Sequence, residues 1–352
     1  MGASRIRCAI VGYGPVFNWG WMHARWIGAV PELELAAIAD RDPERAALAA
    51  RDWPGVETTT DLAAMLARPD LDVVTIVTPH NTHAALAVQC LAAGKHVVVE
   101  KPMCLTVAEA DAMMAAAGAA GRTLAVYHNR RHDGNVRAIH QLVRDGVLGE
   151  VFQIEVCAMG YGLGGGAAGA AGPWRENKAV SGGGLYDWGA HAIDWVLAMV
   201  PSAMTHVTGF FRKFGGGEQR NEDHTRAVIH FANGCAAEIC CSRAAWIGKP
   251  YLWYVLGAKG AIVDTGHDAI RGYCQELNGP SGGSLTLRTA AGQQLVPYQE
   301  SDWNTWYREL AAHLLGGAPV PVSGHDGRRV IAVLETAEKS ARSGHSEAVP
   351  YD

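Results

Sequence analysis

The stretch "HVVVEKPMCLT", residues 96–106, decides how the first half of the chain is read. Its valine run shows no apolar–polar alternation and is bounded on both sides by polar residues. That is the pattern of a central parallel strand buried on both faces, not of a strand with one face in water. The strand stops abruptly at Glu100-Lys101-Pro102. In open α/β sheets ligands bind in the crevice at the carboxyl ends of the strands, so a lysine at this end is placed to meet one.

Working outward, residues 5–100 alternate short β-branched runs ("IRCAIVG", "ELAAIAD", "DVVTIVT", "HVVVE") with helical segments (around 20–29, "PERAALAA", "DLAAMLA", "HAALAVQCLAAG"). Alternation of this kind builds βαβ units and a doubly wound parallel sheet of the Rossmann type. Thr106 and Glu109 form a T-x-x-E capping box ahead of a helix that Gly121 can stop, and "LAVYH" follows as a strand. A first domain, residues 1–125, closes there. From 126 to 352 the texture changes to strand-like runs joined by Gly/Asn turns, with helices expected near 134–145, 188–199, 303–315 and 326–342. The second domain is therefore α+β, built on a large, mostly antiparallel open sheet. Between 160 and 184 the glycine-rich "GYGLGGGAAGAAGPWRENKAVSGGG" reads as a loop or lid, not a linker, because Trp174 and Arg175 sit inside it and a patterned helix follows.

A formal net charge of −5 supplies no basic field for nucleic acid, and no apolar stretch approaches the length needed to span a membrane. The eight cysteines contain no CxxC pair, which suits a reducing compartment. Met1 leads directly into a strand with no leader-like region, so the expectation is a cytoplasmic protein whose partner is a small molecule.

"AIVGYGPVFNWGWMHARW" places Gly12 and Gly14 directly after the first strand. A G-x-G turn lets backbone N–H groups approach a pyrophosphate, and the next helix points its positive end at the anion. The third glycine of G-x-G-x-x-G is missing: Phe17 holds its place, and the next glycine is Gly20. Asp40 ends the second strand, where an acid can bond the adenosine ribose and repel a 2′-phosphate, while Arg41 could pair with one. NAD is the expected cofactor, with NADP possible. Asp42, ahead of Pro43, suits the N-cap of the next helix better than Asp40 does. The later turn "TPHNTH" brings Thr78, Pro79 and Asn81 to the same crevice as Lys101, with Asn81 or Thr82 able to cap the helix that His83 begins. The tryptophans Trp19, Trp21 and Trp26 cluster in the altered glycine loop, where an aromatic face could meet a sugar, though most tryptophans serve packing.

Together, a nucleotide-binding half, the TP-x-x-x-H turn, "AGKHVVVEKP" and "GGGLYDWGAHAID" resemble the Gfo/Idh/MocA family of glucose-fructose oxidoreductase and inositol dehydrogenase relatives over about residues 5–340. The resemblance implies that Glu100, Lys101 and Pro102 form the cofactor-side motif, that Lys101 lies beside nicotinamide and substrate, and that Asp187 and His191 complete the site. The residues support this independently. Asp187, His191 and Asp194 fall at i, i+4 and i+7, one face of a helix after the flexible Gly182-Gly183-Gly184. Hydride removal from a secondary alcohol needs a base for the hydroxyl proton, which suits His191, and a cation for the developing oxyanion, which suits Lys101. Asp187 would orient His191 or grip a substrate hydroxyl.

In the inositol dehydrogenase branch an N-R-R-x-D run and a "PWRE" segment are similar to "NRRHD" and "PWRE" here, which makes Arg130, Arg131, Trp174 and Arg175 candidate pocket contacts. His23 and His83 lie near helix starts, facing the cofactor or satisfied in the core. His128 and His132 have zinc-like spacing but no third ligand, so no metal is expected. The reading is an NAD(P)-dependent dehydrogenase of a sugar, sugar derivative or inositol, forming a homodimer or homotetramer. The family resemblance also admits an NAD-dependent glycosidase or lyase with transient sugar oxidation and no net redox change, and a non-catalytic sensor is a third reading.

Overall fold

The computed structural model describes residues 5–14, 18–159, 173–214, 220–265 and 282–349. By packing the chain forms two compact units: Met1–His128 with Asn304–Arg328, and Asn129–Trp303 with Arg329–Asp352.

Unit 1 carries six parallel strands, β1 (Ile6–Val11), β2 (Leu33–Ala39), β3 (Glu57–Thr59), β4 (Val73–Ile76), β5 (His96–Glu100) and β6 (Leu124–Tyr127), in the order β3-β2-β1-β4-β5-β6. Chain order reverses between β1 and β4, which opens a crevice at their carboxyl ends. All four residues of β4 and all three valines of β5 are buried, which is why neither strand alternates. Helices α1 (Trp19–Gly28), α2 (Pro43–Asp52), α3 (Leu62–Leu66), α4 (His83–Ala92) and α5 (Val107–Ala120) form the crossovers. The capping box is made: Thr106 accepts the Glu109 N–H, the Glu109 carboxylate accepts the Thr106 N–H, and Gly121 ends α5 at φ 60°. Asp42 caps α2 through the Glu44 N–H, with Pro43 in the first turn. The tryptophans belong to α1 rather than to a loop, and Trp26 is fully buried against Tyr127 and His23.

Unit 2 contains a nine-stranded sheet: β7 (Val151–Met159), β8 (Met204–Arg212), β9 (His224–Phe231), β10 (Ala236–Ser242), β11 (Trp253–Gly257), β12 (Gly260–Asp264), β13 (Ser284–Thr289), β14 (Gly292–Pro297) and β15 (Glu347–Ala348). Its order is β14-β13-β12-β11-β7-β10-β9-β8-β15, antiparallel throughout except for the parallel pair β7·β10. Strand β9 alternates buried and accessible residues, so one face is a core and the other is open. Helices α6 (Gly134–Arg144), the short α7 (Lys178–Ser181) and α8 (Trp188–Met199) belong to this unit, and α8 lies on β7 and β10. Helix α9 (Thr305–Gly316) falls in unit 1, and α10 (Gly324–Ser343) begins there and ends in unit 2. Among the described residues, no helix is long and apolar enough to cross a membrane, and no group of three His, Cys, Asp or Glu could hold a metal ion.

Candidate active site

The glycine turn at the carboxyl end of β1 is built by close approach. Gly12 stands at φ 103°, and a Cβ there would run into the Val77 carbonyl oxygen that follows β4. The Gly12 N–H bonds the Ala39 carbonyl at 2.8 Å, so the turn cannot retreat. Gly14 has nothing within 4 Å of where a Cβ would stand. Gly20, in the first turn of α1, would place a Cβ 2.7 Å from the Gly12 oxygen and 2.9 Å from Tyr13 Cδ2. Gly20 thus has the close helix–strand contact that the third glycine of the fingerprint normally supplies, three positions later than the fingerprint puts it. Asn18, in the left-handed region at φ 50°, starts the delayed helix. Pro15, Val16 and Phe17 lie outside the described residues.

Asp40 sits just after β2. Its Oδ2 accepts the Tyr13 N–H at 2.7 Å and its Oδ1 the Asp42 N–H at 2.9 Å, so the carboxylate is pinned against the glycine turn. Each oxygen keeps a lone pair, enough to accept ribose hydroxyls as well. Arg41 is exposed beside it. Tyr13 turns away from the turn into the core, where its hydroxyl donates to Asp52 at 2.7 Å and accepts from Trp53 Nε1 at 3.0 Å.

The turn after β4 is more tightly organised than expected. The strand ends at Ile76, and Pro79 precedes a single 3₁₀ turn, His80–Thr82, in which Asn81 is exposed. Thr82 is at the N-cap of α4, but its hydroxyl donates to the Pro79 carbonyl at 2.6 Å and lies 2.7 Å from Thr78 Oγ1 instead of capping the helix. His83 is buried, with Nδ1 2.9 Å from the Pro102 carbonyl and Nε2 2.8 Å from the Thr78 carbonyl. Its ring staples the turn after β4 to the turn after β5.

At that second turn, Glu100 accepts the Lys101 N–H on Oε2 at 2.9 Å, while its Oε1 lies 2.9 Å from His23 Nε2. Burial alone would raise the Glu100 carboxyl. The His23 hydrogen bond and the neighbouring Lys101 overcome it and hold the group below the usual carboxylate range. Lys101 is half-buried at the strand end, and the bond between it and the buried Pro102 is cis.

In unit 2 the candidate residues surround the start of α8. Asp187 is its N-cap residue without a side-chain cap bond, and its half-exposed carboxylate lies 3.3 Å from Arg175 Nη1. Arg175 stacks over Trp174 at 4.7 Å in the 3₁₀ turn Pro173–Glu176. His191 is 5% exposed, its ring against Trp188 and Trp195. Asp194, one turn on, is buried and held bidentately by Arg131, Nε at 2.9 Å and Nη2 at 2.6 Å. Two of the donors of Arg131, a candidate substrate contact, are therefore committed to Asp194. Arg130 is sandwiched between Trp188 at 4.9 Å and Trp303 at 5.0 Å and paired with Asp133, a buried structural clamp.

The triple glycine is not a flexible hinge. Gly182 and Gly183 take φ 91° and 129°, and a Cβ on Gly184 would collide with the Glu222 backbone oxygen. Glu222 Oε2 accepts the Gly184 N–H at 3.0 Å while Lys178 bridges Glu222 and Glu338 at 2.5 and 2.7 Å. Burial pushes Glu222 up, but the Gly184 N–H and Lys178 hold its carboxyl below the usual range. Sequence reasoning missed Glu222, since nothing in "NEDH" distinguishes it from a surface acid. The remaining glycine-rich stretch, 160–172, lies outside the described residues.

Unit 1 fits a dinucleotide: a turn with no room for side chains at Gly12 and Gly20, open space at Gly14, a helix N-terminus behind it and a fixed carboxylate after β2. Comparison with known proteins agrees. Residues 6–128 match the model of the oxidoreductase family's NAD-binding Rossmann fold, and residues 136–263 match the GFO/IDH/MocA C-terminal domain. The chain is 27% identical to a scyllo-inositol 2-dehydrogenase (NADP(+)) of Bacillus subtilis, over 96% of this chain and 94% of that one. It is 26% identical to an inositol 2-dehydrogenase of Rhizobium meliloti, over 95% and 96%. A crystal structure of an NAD-binding protein from Listeria innocua superposes with a TM-score of 0.80 at 25% identity, covering 99% of this chain and 98% of that one. With both domain models matched in order along one chain and a turn shaped for the dinucleotide, the protein belongs to the Gfo/Idh/MocA family of NAD(P)-binding oxidoreductases.

Proposed function

We propose that this oxidoreductase is a cytoplasmic dehydrogenase that oxidises, or in reverse forms, a secondary hydroxyl on a polyhydroxylated ring, a cyclitol or a sugar, and that it works as a homodimer or homotetramer. The observation that carries this reading is Lys101. It leaves β5 at the same strand ends as the glycine turn after β1, with its backbone N–H fixed by a part-buried, ionised Glu100. The inositol dehydrogenases among the relatives support the substrate class.

The nicotinamide, when bound, supplies the hydride acceptor. The turn at Gly12 and Gly14 would let the pyrophosphate approach the backbone ahead of the α1 N-terminus, and Asp40 would accept the ribose hydroxyls. The turns carrying Thr78, Pro79, Asn81 and Pro102, stapled by His83, wall the same crevice. His191 removes the hydroxyl proton, and packing between Trp188 and Trp195 keeps its ring in one orientation. The Lys101 ammonium donates a hydrogen bond to the same oxygen and stabilises the charge that grows on it, while the proton stays on His191. Asp187 and Arg175 grip neighbouring hydroxyls, and the Trp174 face suits the C–H surface of the ring.

The test is a panel of cyclitols, aldoses, lactones and glycosides with NAD and NADP separately, following both nicotinamide absorbance and product. Net reduction of NAD by a cyclitol or aldose is expected. Lys101→Ala should remove turnover while NAD binding stays within about twofold, since the ammonium acts on the reacting oxygen and not on the dinucleotide. Cleavage of a glycoside with no accumulation of reduced nicotinamide, or full turnover by Lys101→Ala, would overturn the reading.

A further inference from the structure

A directed polar chain crosses unit 1 behind Lys101. Thr75 Oγ1 of β4 lies 3.3 Å from Tyr307 Oη of α9, Tyr307 Oη 2.7 Å from His23 Nδ1 of α1, and His23 Nε2 2.9 Å from Glu100 Oε1. The opposite oxygen of Glu100 accepts the Lys101 N–H. Thr75, His23 and Tyr307 are all fully buried. Polar groups this deep cost stability unless all are satisfied, so packing alone gives no reason for them.

Hydrogen-bond chemistry fixes the direction at the Glu100 end of the chain. An ionised carboxylate only accepts, so His23 carries its proton on Nε2 and donates it to Glu100. With Nδ1 as acceptor, Tyr307 donates its hydroxyl to His23 and Thr75 donates to the Tyr307 oxygen. We infer that His23 and Tyr307 are positioning residues that keep Glu100 ionised and fixed, and through it hold the backbone and ammonium of Lys101 for the reaction; this rests on the role of Lys101 proposed above.

Among the described residues the titratable groups around Glu100 include His23 from α1, Lys101 from its own strand end, Tyr127 beside it on β6 and Tyr307 from α9, with the Cys8 thiol of β1 acting on Tyr307. Burial pushes the Tyr307 phenol well above its ordinary value and the Cys8 thiol to about 12, so both stay neutral and Tyr307 keeps the proton it donates. Without the His23 donor, burial becomes the dominant influence on Glu100 and its pKa rises.

The test compares His23→Phe, which keeps a ring and loses the donor, with His23→Gln, which returns an N–H, and with Tyr307→Phe, which removes one hydroxyl. Difference infrared spectroscopy of the cofactor-free protein, with Glu100→Gln to assign the band, reads carboxyl protonation directly. His23→Phe should move it upward by about one pH unit or more. The acid limb of the kcat profile should move up with it, and kcat at pH 7 should fall about tenfold with the NAD KM within about twofold. His23→Gln should restore most of both, and Tyr307→Phe should show the same shifts at about a third of the size. If His23→Phe does not fold, Tyr307→Phe carries the test. Equal behaviour of the Phe and Gln variants, or an unmoved Glu100 band in a folded His23→Phe or Tyr307→Phe, overturns the inference. Turnover by Lys101→Ala would instead remove the catalytic reading while leaving the infrared result standing, so the two failures are distinguishable.

Discussion

Replacing Gly20 and Gly14 separately by alanine tests whether α1 and the glycine turn have the roles assigned to them. At Gly20 the added methyl would stand 2.7 Å from the Gly12 carbonyl oxygen and 2.9 Å from Tyr13 Cδ2, both parts of the turn itself. Gly12 cannot yield, since its N–H is tied to Ala39 and its Cα side abuts the Val77 carbonyl. Overpacking of this kind costs about 1–3 kcal/mol or more, against roughly 1 kcal/mol gained by alanine over glycine in a helix. A net loss of about 1–2 kcal/mol lowers the melting temperature by roughly 2–8 °C for a unit of this size and displaces the helix end that faces the pyrophosphate. At Gly14 nothing lies within 4 Å, so Gly14→Ala should melt with the wild type or slightly above it. Its methyl nonetheless enters the space assigned to the pyrophosphate, and NAD affinity should fall about tenfold or more, some 1.4 kcal/mol. The assay is thermal unfolding without cofactor together with NAD titration by tryptophan fluorescence. A Gly20→Ala protein that melts and binds as the wild type does, or a Gly14→Ala protein that is destabilised but binds NAD normally, would refute the reasoning.

Other perturbations follow from the same contacts. Glu222→Gln removes the charge-assisted bond to the Gly184 N–H and the Lys178 bridge, and should cost about 1–3 kcal/mol in urea unfolding at pH 7. Because the folded Glu222 carboxyl is depressed, its contribution is present above the unfolded pKa and disappears as pH falls through the folded value, so variant and wild type should converge in acid. His140 lies 3.1 Å from the Trp195 carbonyl of α8, and burial with the Arg131 charge lowers its pKa to about 4. The unfolded ring binds its proton first as pH falls, so stability should drop between about pH 6.5 and 4 by at most about 3 kcal/mol, less because the ring keeps some solvent contact. His140→Phe should flatten that part of a urea-midpoint profile; an unchanged slope would contradict it. Asp40→Ser should weaken NAD about tenfold while NADP, relieved of the facing carboxylate, loses less or gains. An unchanged ratio of the two affinities would exclude Asp40 as the discriminating residue.

The α/β half was legible because its central strands are buried on both faces and α2, α3 and α5 carry explicit caps. The valines of β5 and the Thr106–Glu109 box each specify one local structure. What could not be read was contact at a distance. The helix expected at 303–315 forms, but periodicity does not say which sheet it covers, and only the fold shows that Tyr307 joins His23 in unit 1. The same is true of β7 and β10, whose composition suits either direction of pairing and which run parallel. Gly20 breaks the spacing of the fingerprint yet fills its role, because α1 starts late, at Trp19. The triple glycine looks like a hinge in composition, but its glycines serve positive φ and the close passage of Glu222. In the site itself, the ends of β1, β2 and β5 and the i, i+4 pair Asp187/His191 were visible as motifs, while their supports His23, Tyr307 and Glu222 lie outside any local pattern.

The central claim is that the amine of Lys101 and the imidazole of His191 act on one substrate oxygen. A crystal structure of the complex with NAD and a cyclitol that the enzyme turns over measures this directly. The expected result is both Lys101 Nζ and His191 within hydrogen-bond reach, about 2.6–3.2 Å, of the hydroxyl being oxidised. Contact of the two side chains with different groups, or of either with none, would contradict the account.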